Sequence, residues 1–175
     1  MKDTYLIGIT GRAGCGKDTL AGMLDYATYA FAGPLKAGLA AMGFPEPPRL
    51  LKEERIEGFS FSWRRAAQLL GTEWGRALQS DIWLAMAKRH RCDVQAEFLV
   101  ITDVRFHNEA DWIREHGILV HLRGRQTLMT DPAAAQHESE NLLPVMEQDY
   151  VIENSGSLNR LRQLTHGLRN HIAGL

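Results

Sequence analysis

The stretch YLIGITGRAGCGKDT, residues 5–19, decides the fold. Its first six residues, Tyr5 to Thr10, form a short β-branched run that ends in glycines and predicts a buried strand. Directly behind it, Gly11, Arg12, Ala13, Gly14, Cys15, Gly16 and Lys17 fit the spacing GxxxxGK, in the strand-loop-helix context which that motif requires. Glycines let the backbone curl so that successive N–H groups face one point, and a helix starting near Lys17 adds its positive end. Such a loop cradles phosphate oxygens. The expected phosphate shell is therefore Gly11, Ala13, Gly14, Cys15, Gly16, Lys17, Asp18 and Thr19, with Lys17 bridging the last two phosphates of a nucleoside triphosphate. One position departs from the common form. Asp18 stands where a Ser or Thr hydroxyl usually meets magnesium, and Thr19 follows one residue late. Asp18 reads either as a charge that complements the helix dipole or as a group acting on the ion.

Outward from this loop the chain alternates strand and helix. A helix is expected over residues 17–26 and a weak strand over 29–32. A further helix should run from Pro34, suited to a first turn, to Met42, followed by a proline-rich loop from Gly43 to Pro48. Residues 50–89 are helical in period with a break near Gly71 and Thr72, so an all-helical insertion is expected over about 44–90. Phe98 to Val104 is the clearest later strand. Then come a helix over 108–116 closed by Gly117, a strand over 118–122, a polar loop over 124–136, a short strand over 151–153 and a closing amphipathic helix over 158–172. This order predicts an α/β fold, a parallel sheet covered by helices on both faces.

Composition narrows the function classes. With 175 residues, 45% of them hydrophobic, the chain suits one domain spanning residues 1–175. Twenty basic against 21 acidic residues give no net field for a nucleic-acid polymer, so small-molecule partners are expected. The apolar stretch before Gly11 is too short for a signal-peptide core or a membrane span. Cys15 and Cys92 form no CxxC pair and no zinc spacing, which fits a reducing, cytoplasmic setting.

The strand 98–104 carries Asp103 at its end, where a P-loop enzyme places a carboxylate near magnesium. No glutamate follows it to orient water, as hydrolytic motors need, and no NKxD element is present for guanine. Phosphoryl transfer between small molecules is the better reading. Asp18, Thr19 and Asp103 are then the expected magnesium residues, directly or through water. A phosphorylated acceptor needs fixed positive donors, and guanidinium forks suit phosphate geometry. Arg64, Arg65, Arg76 and Arg105 are available, Gln68 can read a base edge and Trp74 can stack on a base. Phe106 and Trp112 are assigned to packing. Arg123 and Arg125 leave the fourth strand into a segment of about 123–137 expected to act as a lid, placing a guanidinium on the transferring group. His137, Glu138 and Glu140 close that segment without a second histidine at ligand spacing, so they read as a hinge or anchor.

The segments FAGPLK (31–36), RAAQLLGTEWGR (65–76), DVRFHNE (103–109) and HESE (137–140), in this order with the P-loop, resemble the bacteriophage deoxynucleoside monophosphate kinase family. The resemblance implies a five-stranded core, ATP with magnesium, and a deoxynucleoside monophosphate held by the insertion, with Lys36 and Glu109 joining the acceptor-binding set. It also implies the host cytoplasm for a phage-encoded chain, and leaves a homodimer open. Gly33 departs from the acidic residue expected within the FAGPLK segment. Residues 149–161 (DYVIENSGSLNRL) resemble the adenine-side loop of dephospho-CoA kinases, which would put Asn154 and Gly156 beside the adenine. Two alternatives therefore stay open: a dephospho-CoA kinase, and a nucleotide-sensing module without turnover.

Overall fold

The computed structural model describes residues 4–124 and 142–174, apart from the side chain of Arg49. Five strands, β1 (Tyr5–Thr10), β2 (Ala27–Tyr29), β3 (Phe98–Ile101), β4 (Gly117–Gly124) and β5 (Tyr150–Asn154), pair in the order β2-β3-β1-β4-β5. Every pairing is parallel. The strand that feeds the glycine loop is thus central, with β3 and β4 on either side.

Alternation along β1 splits the core between two faces. Leu6 joins Leu99, Ile101 and Leu119 on one face, under Phe31, Leu35, Trp63, Trp83, Trp112 and Ile113. Ile7 and Ile9 join Val100, Ile118, Val120 and Ile152 on the other, under Leu20, Leu24, Leu161 and Leu168. The first face carries helix α2 (Gly33–Ala41), the insertion and α5 (His107–His116). The second carries α1 (Lys17–Leu24) and the closing helix α6 (Leu158–Ala173), whose buried Leu161, Thr165, Leu168 and Ile172 recur every three or four residues. Ser157 caps α6, its Oγ accepting from Arg160 N at 3.3 Å.

Several element boundaries differ from the sequence expectation. α1 stops at Leu24 because Asp25 turns left-handed, with φ 55°. β2 lies earlier, at 27–29, since the N–H groups of Phe31 and Ala32 are taken by the Asp103 carboxylate at 2.8 and 2.9 Å. Gly117 closes α5, as expected, and also opens β4: a Cβ there would run into the backbone of Leu6, so glycine permits the close approach of two strands.

The insertion is less helical than its period suggests. A 3-10 turn covers Arg49–Leu51, and residues 52–62 are irregular, with one antiparallel bridge between Arg55 and Ser62. α3 (Trp63–Gln68), capped by Ser62, runs without a break into a π-helical stretch, Leu69–Arg76. At Gly71 and Thr72, where a break was expected, the helix widens instead. The helix continues through Ala77 and Leu78, and the chain interrupts at 79–81, before α4 (Ile82–Asp93). Trp83 holds the widened stretch in place by donating Nε1–H to Gly71 O at 2.7 Å. Among the described residues no helix is long and apolar enough to cross a membrane.

Candidate active site

A cavity of about 300 Å³ opens where the C-terminal ends of β1 and β3 face the insertion, the place where parallel sheets bind ligands. Its lining joins the glycine loop (Ala13, Gly14, Gly16, Lys17, Asp18, Thr19) to the insertion (Trp63, Arg64, Gln68, Gly71, Thr72, Arg76), with Phe31, Lys36, Asp103, Arg105, Phe106 and Glu109 between them.

In the loop, Lys17 Nζ donates to the carbonyls of Gly11 at 2.6 Å and Arg12 at 3.0 Å. The ammonium is thereby parked on its own loop. Asp18 and Thr19 are exposed in the first turn of α1 and line the cavity. Cys15 contributes backbone only: its thiol is buried in the core of the second face, and burial pushes its pKa up. Asn154 and Gly156, expected beside the adenine, fall outside the lining of this cavity. Asn154 is buried and donates Nδ2–H to Cys15 O at 2.8 Å, while Gly156 packs against Arg160.

Asp103 lines the cavity, yet both of its oxygens accept the N–H groups that precede α2. It staples the end of β3 to the start of α2. This spends part of the carboxylate that the sequence assigned to magnesium.

On the acceptor side, the Arg76 guanidinium is held by three neighbours. Its Nη2 pairs with Glu109 Oε1, its Nη1 donates to Ser80 O at 2.9 Å, and its plane lies 3.6 Å over the Phe106 ring. Phe106, assigned to packing from sequence, is thus the shelf of a cavity cation. Glu109 is 2% exposed, and its second oxygen accepts from the N–H groups of Arg105 and Phe106 at 2.9 and 3.1 Å, closing the first turn of α5. Burial pushes its pKa up to about 7, against the pull of those N–H groups and of Arg76, and Asp103 adds to the rise.

At the far rim, Glu46 joins Lys36 and Lys52, and Lys52 also lies 5.4 Å from the Trp63 ring centre. Burial alone would raise the Glu46 pKa, but the two lysines more than offset this and hold it below the usual range. Arg64 pairs with Glu53, and Gln68 is buried on the cavity wall. Trp74 and Arg65 do not line this cavity. Trp74 is 55% exposed and borders a separate apolar groove with Leu39, Met42 and Leu69. Arg123 is exposed at the end of β4, 3.8 Å from Glu153, whereas Arg125, His137, Glu138 and Glu140 lie outside the described residues. No group of three or more His, Cys, Asp or Glu suited to a metal exists among the described residues.

A second buried cluster escaped the sequence reading. Asp149 binds Arg114 through two bonds, Nε at 2.9 Å and Nη2 at 2.7 Å, and also accepts from Met146 N and His121 Nε2. It ties residues 142–149 to α5 and β4. Nothing in local spacing signals it, because its members are 28 and 35 residues apart.

Among solved structures, TT1252 from Thermus thermophilus is 19% identical, covers 97% of this chain and 98% of its own length, and has a TM-score of 0.56. A gluconokinase from Sinorhizobium meliloti 1021 is 14% identical over 99% of this chain and 97% of its own, with a TM-score of 0.55. At these identities the likeness shows the fold alone. In sequence, the deoxynucleoside-5'-monophosphate kinase of Escherichia phage T5 is 38% identical over 73 residues, a match spanning 39% of this chain but only 29% of the phage protein. A putative deoxynucleotide monophosphate kinase of Acanthamoeba polyphaga mimivirus is 29% identical, and the alignment takes in 87% of this chain and 90% of that protein. The family model for deoxynucleotide monophosphate kinases matches residues 49–164, which hold the insertion, Asp103, Arg105 and Glu109, and the chain therefore belongs to the deoxynucleotide monophosphate kinase family.

Proposed function

We propose that the chain moves the γ-phosphoryl group of ATP onto the 5'-phosphate of a deoxynucleoside monophosphate, giving ADP and a deoxynucleoside diphosphate. The carrying observation is the continuity of the cavity from the P-loop to the Arg76–Glu109–Phe106 assembly, which sets a phosphate cradle and a fixed cation in one enclosure. One phosphorus–oxygen bond to ADP breaks and one to an acceptor phosphate oxygen forms. A phosphate dianion carries no proton on its attacking oxygen, so positioning and charge neutralisation do the catalysis.

In this reading the loop N–H groups and Lys17 hold the triphosphate, Lys17 leaving its two carbonyl partners. Arg76 and Arg105 hold the acceptor phosphate, while Gln68, Lys36 and Arg64 line the remainder of the acceptor's space. Magnesium would neutralise charge on the β and γ phosphates. The donor set fits it: two exposed oxygen-bearing side chains, Asp18 and Thr19, lie in the cavity, and magnesium keeps most of its ligands as water and phosphate oxygen rather than as a protein cage. Arg123 and Arg125 are assigned to the transferring group on the strength of their sequence positions. The reaction would take place in the cytoplasm, that of the host for a phage-encoded chain.

Coupled ADP release with a panel of monophosphates tests the proposal. Turnover is expected with one or more deoxynucleotides and not with dephospho-CoA. Turnover with dephospho-CoA alone would replace the acceptor, and ATP binding without turnover on any acceptor would favour a sensing module.

A further inference from the structure

Asn154 sits at the end of β5, in register with Gly124 of β4, and is 8% exposed. Its Nδ2–H reaches across 139 residues to the carbonyl of Cys15, at the crest of the glycine loop. The next residue, Gly16, is packed so closely against it that a Cβ there would lie 2.8 Å from Asn154 Nδ2. Gly16 lines the cavity, whereas Cys15 and Asn154 do not.

The peptide joining Cys15 to Gly16 is a planar trans unit, so its C=O and its N–H point in opposite directions. A carbonyl held toward Asn154, away from the cavity, turns the Gly16 N–H toward it. That N–H is one of the donors the loop offers to phosphate. The same end of the sheet supports the loop elsewhere: the carbonyl of Leu122 on β4 approaches Gly11 so closely that no side chain would fit there, and Gly124 lets β4 close onto Asn154.

We infer that Asn154 is a positioning residue for phosphate binding, which orients the Gly16 N–H by holding the Cys15 carbonyl, rather than a contact to the adenine. This rests on the reading of residues 11–19 as a phosphate loop. The discriminating probe is inorganic tripolyphosphate with magnesium, which presents phosphate oxygens and no base.

Affinities of the whole chain for magnesium-ATP and for magnesium-tripolyphosphate are to be measured with Asn154→Ala and Asn154→Asp, the latter keeping the shape but facing Cys15 O with an acceptor. Both affinities should fall by the same factor, about tenfold, the effect of one misplaced donor of about 1.4 kcal/mol. A loss confined to ATP would return Asn154 to the adenine and overturn the inference, as would unchanged affinity for both ligands. If both variants fail to fold, the wild-type Gly16 amide resonance decides: it should move when tripolyphosphate is added, and a stationary resonance at saturation would overturn the inference. A wild-type chain that binds neither ligand would instead refute the phosphate-loop reading itself.

Discussion

Substituting Arg76 by alanine removes a cation held by three contacts that fix its plane before any ligand arrives. Loss of such a preorganised donor typically costs about 3 kcal/mol, or about a hundredfold in rate. Steady-state kinetics should therefore show kcat/KM for the acceptor falling by about that factor, with the KM for ATP nearly unchanged. Arg76→Lys should recover little, because an ammonium cannot keep both the Glu109 and Ser80 bonds while lying flat on Phe106. Glu109 yields a pH prediction of definite sign. Its folded pKa of about 7 lies above the ordinary 4.5, so its contribution to stability is present below 4.5 and is lost as pH rises through about 7. The gap corresponds to about 3 kcal/mol. The melting temperature of Glu109→Gln should then depend less steeply on pH than that of the wild type between pH 4.5 and 7, and parallel curves would refute the assignment. Both residues stood out in the sequence, Arg76 as an available guanidinium and Glu109 through the family resemblance of residues 103–109. Phe106 did not, since an aromatic side chain next to a turn carries no sign of which face it will show. Nor did the face of Trp74: helical spacing names a face only when the helix has 3.6 residues per turn, and Trp74 lies in a widened stretch, away from the cavity lining.

That widened stretch, Leu69–Arg76, belongs to the scale of elements, where its two glycines serve different neighbours. A Cβ on Gly75 would press into the Trp83 ring at 2.6 Å and the Leu70 carbonyl at 3.1 Å, whereas one on Gly71 would meet only the flexible end of Leu35. Gly75→Ala should cost about 1–3 kcal/mol by overpacking and Gly71→Ala less, read from the midpoints of urea denaturation. Equal costs would show that the Trp83 contact is not the constraint. The segment 142–149 gives a second test. Asp149→Ala leaves Arg114 and His121 buried without their carboxylate, a change that typically costs about 3–5 kcal/mol. The pH signature also has a definite sign. Burial lowers the His121 pKa and Asp149 offsets this only in part, so the folded state favours the neutral ring and loses stability as pH falls below 6.5. For Asp149 burial opposes the effect, but Arg114, the Met146 N–H and His121 hold its pKa below 3.8, and its share is lost at still lower pH. The strands and flanking helices of the core were readable because period and turn residues agree. Residues 50–62 were not: their apolar side chains recur at helical intervals, yet the backbone there serves the Lys52, Glu53 and Ser62 contacts.

Across the whole molecule, one enclosure bounded by both the P-loop and the insertion predicts a response to a bridged ligand. An adenosine joined to a deoxynucleoside through a chain of phosphates should raise the melting temperature more than ATP and the monophosphate together at equal concentration, because the second half binds intramolecularly. No excess over the separate ligands would mean that the two sites are not joined as the cavity implies. The fold class was legible from the alternation of elements. The strand order was not, since period alone does not say which strand lies beside which. That order has a consequence for how the chain is made. Of the five strands β1 leaves the ribosome first, and its partners β3 (Phe98–Ile101) and β4 (Gly117–Gly124) are translated about 90 or more residues later. At roughly 5–20 residues per second the central strand waits several seconds with both edges unpaired. Helices of the insertion, whose contacts are local, can form during that interval, whereas the sheet cannot close until β4 has cleared the exit tunnel. Nascent chains arrested before residue 98 should accordingly be digested by protease throughout residues 4–30, and those released after β5 should be resistant there.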